Sequence, residues 1–445
     1  MAMPSRRVAV IGAGISGVVT AAHLKKEGIE VEVFERSSAA GGVCPCYVGL
    51  KNNVSTRLLE TTLNQFPKGT EDFVTHDVLK DYIQNTARIT GIDKITRYNS
   101  EVRTVSKSES SWLLETSTLE TTASGARTHH NTQRFDAVVV ASGHYHAPKV
   151  PDTSGLVEWK CRWPDRVWHS KRYRKPEDAQ GKNFLLIGGS VSSTDIAREL
   201  GPSAHKIYQS HRNGKFDLSA NLLPENGYRV DEVVSYDPPT SDNSLALSSS
   251  DAIPATLTLK SGQKLCDIHQ VILCTGYHLT LPFLSHLHSD GTPVEQANED
   301  LLVTDGSQFH NLHKDIFYIN DPSLVFVGVP FFTATFTLFE FQAMVVAKVL
   351  SGQANLPTRT AMRSEYDERV KTKGYGKAFH SLRDREAEYV NELLAWINRD
   401  LAKAGRSRLQ GHTENWHVAR EEQVQRIKAL FAAPTVERRL EVTCW

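Results

Sequence analysis

The sequence predicts an α/β protein that contains two Rossmann-like dinucleotide-binding domains, one inserted into the other. Segment 7–35 has the pattern of a strand, a glycine turn, a helix and a second strand, and segment 184–212 repeats that order. Two later strands each run directly into a glycine, which is typical of the places where a chain passes between two such domains. This alternation of strands and helices is the basis for the predicted class.

The first unit opens with the apolar strand 7–11 and continues into a glycine turn that has a physical reason at each glycine. Gly12 permits the tight turn, Gly14 lets the backbone approach a pyrophosphate, and Gly17 lets the following helix pack on the strand. Glu35, 23 residues after Gly12, can accept both hydroxyls of an adenosine ribose. In this context we predict a dinucleotide site rather than an empty glycine turn. Its predicted binding residues are Gly12, Gly14, Ser16, Gly17, Glu35 and Arg36.

The second unit repeats this pattern in a degraded form. Strand 184–187 leads into Gly188, and Ser190 and Ser193 take the second and third glycine positions. Serine is small enough for both positions and adds a hydroxyl donor for a phosphate. Arg212 occupies the place of the acid, 24 residues after Gly188, and so favours the 2′-phosphate of NADPH; the alternative is a solvated arginine. The predicted binding residues are Gly188, Ser190, Ser192, Ser193, Ser210 and Arg212.

The two strand-to-glycine junctions set the predicted domain boundaries. Strand 135–141 runs into a Ser-Gly pair, and strand 271–274 runs into Thr-Gly-Tyr. We interpret both as crossovers between domains. One domain is therefore placed at 1–150 and 279–445, and the inserted one at 151–278.

The composition is that of a globular protein and excludes several other classes. Hydrophobic residues make up 40% of the 445 residues, and 28 glycines bring the apolar share into the usual globular range. The 51 basic and 51 acidic residues cancel, which argues against nucleic-acid binding, because that needs a basic excess. Six scattered cysteines are too few for a disulfide scaffold.

One apolar stretch, 322–339, has to be weighed as a membrane span. It contains Gly328 and Pro330 and ends at Glu340, so we interpret it as a buried strand, a pocket loop and the start of a helix. A strand-like run already begins at Arg7, so we expect no signal peptide. We expect a cytoplasmic protein without a membrane span.

The order of these motifs resembles the flavin-containing monooxygenase family over nearly the whole chain. The first unit resembles the family's FAD site, and Gly41-Gly42 is similar to its second glycine pair. The family's identifying motif is an aromatic, a glycine, a histidine and an aromatic at fixed spacing. In this sequence those places hold Trp163, Asp165, His169 and Tyr173. The final tyrosine is more similar to the heteroatom-oxidising branch than to the Baeyer–Villiger branch.

Three further segments carry the resemblance. Thr275-Gly276-Tyr277 is similar to the family's threonine-glycine-tyrosine, and segments 321–328 and 340–343 are similar to its last flavin-facing strand and helix. Asn53 falls where the family carries an asparagine near the flavin ring, with Asn52 as a rival and an ordinary turn asparagine as the alternative. The further cofactor-binding residues that the resemblance implies are Gly42, Asn53, His169, Thr275, Gly276 and Gln342.

The resemblance implies an NADPH- and FAD-dependent monooxygenase, with FAD in the first domain and NADPH in the inserted one. It implies that reduced flavin forms a 4a-hydroperoxide with dioxygen, that NADP⁺ is retained, and that a small amine, indole or thioether receives one oxygen atom at nitrogen or sulfur. Asn53 is then the catalytic residue. Phe331, Phe332 and Phe336 would line the substrate pocket, with core packing as the alternative. No metal is expected, and a homodimer is left open.

Three other functions stay open at this stage. The first is a Baeyer–Villiger monooxygenase, which differs in the protonation of the peroxide. The second is a disulfide reductase, for which Cys44 and Cys46 lie too close in sequence. The third is a non-catalytic FAD-fold binding protein, against which Arg212 and the second dinucleotide unit argue.

Overall fold

The computed structural model describes residues 6–42, 46–122, 125–239 and 247–432. These residues form two compact units. The first unit comprises 6–42, 51–122, 125–147 and 278–423. The second comprises 46–50, 148–239, 247–277 and 424–432. Segments 46–50 and 424–432 thus group with the second unit, whereas the predicted division kept them in the first; the assignment of one cofactor to each domain stays a prediction.

The helices and strands of the described residues alternate along much of the chain. The strands are β1 Arg7–Ile11, β2 Glu30–Phe34, β3 Thr96–Arg97, β4 Ser100–Ser108, β5 Ser111–Thr122, β6 Gly125–Phe135, β7 Ala137–Val140, β8 Ala147–Pro148, β9 Val167–His169, β10 Asn183–Ile187, β11 Lys206–Ser210, β12 Gly227–Val230, β13 Val233–Tyr236, β14 Leu257–Leu259, β15 Lys264–Leu265, β16 Gln270–Leu273, β17 Tyr277–His278, β18 Leu312–His313, β19 Phe317–Tyr318 and β20 Leu324–Phe326. The α-helices are α1 Ile15–Lys26, α2 Thr56–Leu59, α3 His76–Ile89, α4 Leu156–Arg162, α5 Val191–Leu200, α6 Thr335–Leu350, α7 Arg359–Lys373, α8 Glu386–Lys403 and α9 Glu414–Ala432. Short 3₁₀ helices span Asp93–Ile95, Ser170–Arg172, Ala220–Leu222, Pro282–Leu287 and Val294–Gln296.

The first unit is built on a sheet with the strand order β18-β19-β20-β7-β1-β2-β3. Strand β1 lies parallel to both β2 and β7, so the carboxyl ends of these strands meet at one edge. Residues alternate between the two faces. Val8 and Val10 join the core that includes α1 and α6, whereas Ala9 and Ile11 join the core that includes the antiparallel sheet β4-β5-β6.

The second unit is built on a five-stranded parallel sheet with the order β12-β11-β10-β16-β9. Leu185 of β10 packs on one face with the small antiparallel sheet β13-β14-β15. Phe184 and Leu186 pack on the other face with Ile196 of α5. Both units therefore place a helix directly after a strand of a parallel sheet, and the predicted α/β class with two Rossmann-like units is confirmed.

The apolar stretch 322–339 forms β20, a loop and the first turn of α6, as the sequence predicted. Thirteen of the sixteen residues of α6 are buried. Across the described ranges, no helix combines the length and the apolar character that crossing a bilayer requires.

Candidate active site

The glycine turn of the first unit leaves no space for side chains. Gly12 has a φ of +106°, and a Cβ there would lie 2.5 Å from the carbonyl oxygen of Ala141. A Cβ on Gly17 would lie 1.9 Å from the carbonyl oxygen of Gly12, so α1 is pressed against the turn. Gly14 is the N-cap of α1 and makes no side-chain cap, so the N–H groups of the first helical turn point outward, where a phosphate can accept them.

The second glycine pair lies directly on this turn. The N–H of Gly41 donates to the carbonyl oxygen of Ala13 at 3.1 Å. A Cβ on Gly14 would be 3.4 Å from Cα of Gly42, which itself has a φ of +78°. Two stretches of bare backbone therefore face each other, and this arrangement fits a pyrophosphate group.

Glu35 joins the end of β2 to the glycine turn. Its Oε2 accepts the N–H of Ala13 at 2.8 Å, and its Oε1 accepts the N–H of Ser37 at 2.8 Å. The residue is buried, and each oxygen keeps a second lone pair for a ribose hydroxyl. Arg36 is exposed beside it, with Nη1 2.9 Å from Nδ1 of His146.

Ser16 and Gln342 contact the backbone of two segments near the glycine turn, at Ala141 and Gly328. Ser16 is buried, and its Oγ lies 3.5 Å from the carbonyl oxygen of Ala141. Gly328, after β20, has a φ of +96°, and a Cβ there would approach Cβ of Ser16 to 3.2 Å. Gln342 of α6 accepts the Gly328 N–H at 2.9 Å and donates to the Tyr389 hydroxyl at 2.8 Å. Gln342 thus orients the backbone of this loop and uses both ends of its amide in doing so.

The two candidate asparagines have different surroundings. The amide of Asn52 is used by the backbone: its Oδ1 accepts the N–H of Val74 at 2.6 Å, and its Nδ2 donates to the carbonyl oxygens of Val54 and Asp72. Asn53 is exposed, and its side chain makes no hydrogen bond to any residue in the described part of the chain. Asn53 is therefore the asparagine whose amide can meet a ligand.

The aromatic candidates divide between the core and the surface. Phe336 is buried in the core of the first unit, with its ring 5.7 Å from that of Tyr82, because the first turn of α6 directs it inward. Its place in a substrate pocket stays a prediction. Phe332 is exposed at a φ of +58°, and its ring centroid lies 5.2 Å from that of Phe331, with the two ring planes tilted by 49°. The guanidinium of Arg383 lies 4.4 Å above the Phe332 ring. Phe331 and Phe332 stay candidates for a pocket wall.

A buried acid near this loop escaped the sequence analysis. Glu386 begins α8 and is 1% exposed, and its Oε2 accepts the N–H of Ala334, the N-cap of α6, at 2.9 Å. Its Oε1 has no hydrogen-bond partner among the described residues. Burial raises the pKa of Glu386 to about 7, although Arg420 acts in the opposite direction. An acidic residue at a helix start is common, so no sequence signal marks this one.

The turn of the second unit matches that of the first. Gly188 has a φ of +123°, and a Cβ there would lie 2.5 Å from the carbonyl oxygen of Cys274. Ser190 is the N-cap of α5 and makes no side-chain cap, and Ser192 is exposed on the first helical turn. The backbone N–H groups and these two hydroxyls fit a phosphate.

Two of the predicted phosphate donors make hydrogen bonds within the fold. Ser193 is fully buried, donates to the carbonyl oxygen of Ser190 at 2.8 Å and accepts from Gln209 at 2.8 Å. Ser210 is buried and donates to the carbonyl oxygen of Asp231 at 3.0 Å. Both hydroxyls are thus engaged within the protein, and direct phosphate binding by Ser193 and Ser210 stays a prediction.

Arg212 stands two residues beyond β11 and is free to meet an anion. Its side chain is 77% exposed, and its Nε lies 3.8 Å from Oε1 of Glu232. In the glycine turn of this unit, a Cβ on Gly189 would be 2.7 Å from the carboxyl carbon of Asp217. Asp217 is therefore an acidic neighbour of the turn that the sequence pattern did not mark. Asp217 lies 28 residues after Gly189, so no local sequence pattern connects it with the turn.

The histidine of the family motif, His169, stabilises a loop of the second unit through hydrogen bonds. His169 ends β9, and its Nε2 lies 2.9 Å from the carbonyl oxygen of Gly276, while its Nδ1 accepts the N–H of Lys171 at 3.1 Å. Burial lowers the pKa of His169. Thr275 donates to the carbonyl oxygen of Lys149. His169 and Thr275 therefore hold the 275–277 loop, and their direct contact with a cofactor stays a prediction.

The absent motif glycine has a simple explanation. Asp165, which stands in its place, is exposed and adopts a negative φ, so this turn does not require glycine. Its Oδ1 accepts from Arg172 at 2.9 Å. Throughout the described ranges, no group of three or more His, Cys, Asp or Glu side chains could hold a metal ion.

Comparisons with known proteins agree with this geometry. Residues 5–240 match the model of the family described as flavin-binding monooxygenase-like. The chain is 43% identical to flavin-containing monooxygenase ustF2 of Aspergillus flavus, covering 96% of this chain and 99% of that protein. It is 44% identical to ustF1 of the same organism over 93% of this chain and 88% of that protein.

A solved structure agrees at the level of the fold. The S-allyl-L-cysteine S-oxygenase from Allium sativum superposes with a TM-score of 0.73 at 23% identity, covering 97% of this chain and 95% of that one. The glycine turns and the Glu35 carboxylate fit FAD, and the second turn with Arg212 fits NADPH. The chain therefore belongs to the flavin-containing monooxygenase family and is a flavin-dependent monooxygenase that uses FAD and NADPH.

Proposed function

We propose that this monooxygenase transfers one oxygen atom of dioxygen to a nitrogen or sulfur atom of a small organic substrate, with nitrogen preferred. The observation that carries the proposal is the exposed amide of Asn53, which no described residue engages. The tyrosine at position 173 supports the heteroatom-oxidising branch over the Baeyer–Villiger branch. One solved structural neighbour is named an S-oxygenase, which supports the inclusion of sulfur.

The chain's own residues would hold the two cofactors as follows. The Gly12–Gly17 turn, Gly42 and Glu35 would bind the pyrophosphate and ribose of FAD, and Arg36 would cover its edge. Gly188, Ser190 and Ser192 would bind the NADPH pyrophosphate, with Arg212 on the 2′-phosphate. When bound, the pair supplies a hydride from NADPH and the reduced flavin that activates dioxygen.

Asn53 has the chemistry that an oxygen-transfer site needs. Its amide donates a hydrogen bond but has no proton that dissociates near neutral pH, so it orients an oxygen atom without acting as an acid. Asn52 holds the same loop to the backbone at Val74 and Asp72, which limits the movement of Asn53. Phe331 and Phe332 would form an apolar wall that keeps water from the reacting atoms.

The substrate is proposed to be a small amine, indole or thioether. A cytoplasmic location belongs to this proposal, since NADPH is supplied there. A homodimeric assembly stays a prediction.

The test is an incubation of the FAD-loaded enzyme with NADPH and ¹⁸O₂ against panels of amines, thioethers and ketones. We expect one ¹⁸O atom at nitrogen or sulfur. Asn53→Ala should still allow NADPH to reduce the flavin but should release hydrogen peroxide in place of product. Asn131→Ala, which removes another exposed asparagine, is the control. Esters from ketones as the sole products, or normal coupling in Asn53→Ala, would contradict the proposal.

A further inference from the structure

We propose that Gln423 of α9 is a positioning residue, which fixes the backbone that directly follows Asn53 and thereby orients the Asn53 amide. The inference rests on the proposed function, because it assumes a catalytic role for Asn53. The sequence of this C-terminal region carries no motif that assigns it a role. Within the first unit, the part of α9 up to residue 423 packs on the Asn53 loop.

The side-chain amide of Gln423 makes both polar bonds of this contact. Nε2 of Gln423 donates to the carbonyl oxygen of Asn53 at 3.2 Å, and its Oε1 accepts the N–H of Ser55 at 3.0 Å. Gln423 is 7% exposed and Ser55 is 3% exposed, so water cannot easily replace either bond. The amide thus pairs with the loop as a neighbouring strand would, across the intervening Val54.

Apolar contacts along one face of α9 position the Gln423 amide. Trp416 and Ala419 are buried against Leu58 and Ala334, and Val54 packs on the same cluster. Positions 416, 419 and 423 are spaced by three and four residues, so they share one side of the helix. The helix is therefore seated by apolar contacts, and Gln423 supplies the directional ones.

Nearby charges add little to this positioning. Arg57 bonds to Asp72 at 2.9 Å and to Glu422 of α9, but all three side chains are 36% exposed or more. Ion pairs this open to water are weak and screened by salt. The Ser55 hydroxyl also donates to Asp72 at 2.6 Å, whereas the Asn53 carbonyl is held by the buried Gln423 amide.

The Asn53 loop is consequently held from two sides. Asn52 binds it to the backbone at Asp72 and Val74, and Gln423 binds it to α9. Between these two fixed points the Asn53 side chain is the exposed group. Loss of Gln423 frees the two peptides on either side of Val54, directly after Asn53, whereas the glycine turns that would bind FAD are untouched.

The experiment compares Gln423→Ala and Gln423→Glu with the control Gln425→Ala, an exposed glutamine two residues further along α9. Hydrogen exchange of the Ser55 amide reports the loop directly and does not depend on catalysis. We expect at least about tenfold faster exchange in Gln423→Ala. At pH 8, Gln423→Glu should keep Ser55 protected, because a carboxylate still accepts that N–H, but it loses the donor to the Asn53 carbonyl.

The second readout is the fraction of NADPH oxidation that ends as hydrogen peroxide. Both Gln423 variants should raise this fraction several-fold while FAD content and the KM for NADPH stay unchanged, and Gln425→Ala should match the parent. If Gln423→Ala does not fold, Gln423→Glu alone still tests the positioning role.

The outcomes separate the two proposals. Unchanged Ser55 exchange in Gln423→Ala, or normal coupling in both Gln423 variants while Asn53→Ala uncouples, overturns the positioning role. Normal coupling in Asn53→Ala overturns the proposed function of Asn53, and with it the catalytic meaning of the Gln423 contact.

Discussion

The Glu35 carboxylate accepts the N–H of Ala13 at 2.8 Å, and this bond joins the end of β2 to the middle of the glycine turn. The residue that the sequence marks as the ribose acceptor therefore also holds the turn that faces the pyrophosphate. Its other oxygen accepts the N–H of Ser37. A single buried side chain thus orders both halves of the expected FAD site.

We predict that Glu35→Ala weakens FAD binding by about 10- to 100-fold, because charge-assisted hydrogen bonds contribute about 1.5–3 kcal/mol each. The flavin-to-protein absorbance ratio after gel filtration and a titration of the apoprotein with FAD will measure this. The control is Glu30→Gln, which removes the exposed acid at the start of β2, the strand that Glu35 directly follows. Retention of FAD equal to that of the control would mean that Glu35 does not contact the cofactor.

Arg212 gives a prediction about cofactor choice. Its side chain is 77% exposed, and its nearest acid lies 3.8 Å away, so it is available to a 2′-phosphate. Arg212→Ala should raise the KM for NADPH by roughly tens-fold and leave that for NADH nearly unchanged. Arg172→Ala, an exposed arginine of the same unit, is the control. Equal effects on both cofactors in steady-state assays would remove Arg212 from the phosphate site.

A buried ion network supports the segment that pairs with the Phe331 loop. Asp315 is fully buried; its Oδ1 accepts from His380 at 2.7 Å and from Arg369 at 2.8 Å. Burial alone would raise the pKa of Asp315, but Arg369 and His380 hold it below its ordinary value. The carbonyl oxygen of His380 in turn accepts the N–H of Phe331 at 3.3 Å. The network therefore fixes the backbone beside the proposed pocket wall.

We predict that Asp315→Asn destabilises the protein by about 3–5 kcal/mol, because it leaves the half-buried Arg369 without its buried counter-charge. Asparagine tolerates the φ of +57° at this position, so the effect isolates the charge. Asp384→Asn, at an exposed position with a φ of +61°, is the control. Denaturant unfolding of both variants measures the difference, and equal stability would show that the network contributes little.

Glu386 gives a pH-dependent prediction. Its pKa of about 7 in the folded protein exceeds the ordinary value of 4.5, so the folded state binds more protons between these values. Stability should therefore fall as the pH rises from about 4.5 to about 7, by on the order of 3 kcal/mol in total. Glutamine keeps an acceptor for the Ala334 N–H but never becomes charged.

Glu386→Gln should thus be more stable than the parent at pH 8 and nearly equal to it at pH 5. Thermal unfolding midpoints at the two pH values measure this. Glu388→Gln, an exposed acid on the same helix, should shift the midpoint by the same amount at both. A Glu386→Gln difference that does not change with pH would place the pKa of Glu386 outside this window.

The fold class, the two glycine turns and the family could all be predicted from the amino-acid sequence. These features are local: Gly12, Gly17 and Gly188 are required by backbone contacts that follow directly from a strand entering a helix. A glycine in such a turn has few substitutes, so its spacing along the chain is informative.

Which polar side chains are available to a ligand, in contrast, depends on the folded structure. Ser193, Ser210 and His169 have the right residue types and spacing, but the folded protein uses their hydrogen-bonding atoms internally. Asn52 and Asn53 are equivalent in sequence and differ only in their neighbours. Gln423 reaches the Asn53 loop across 370 residues of chain. The physical reason is that hydrogen-bond availability depends on distant contacts, and a one-dimensional pattern does not record them.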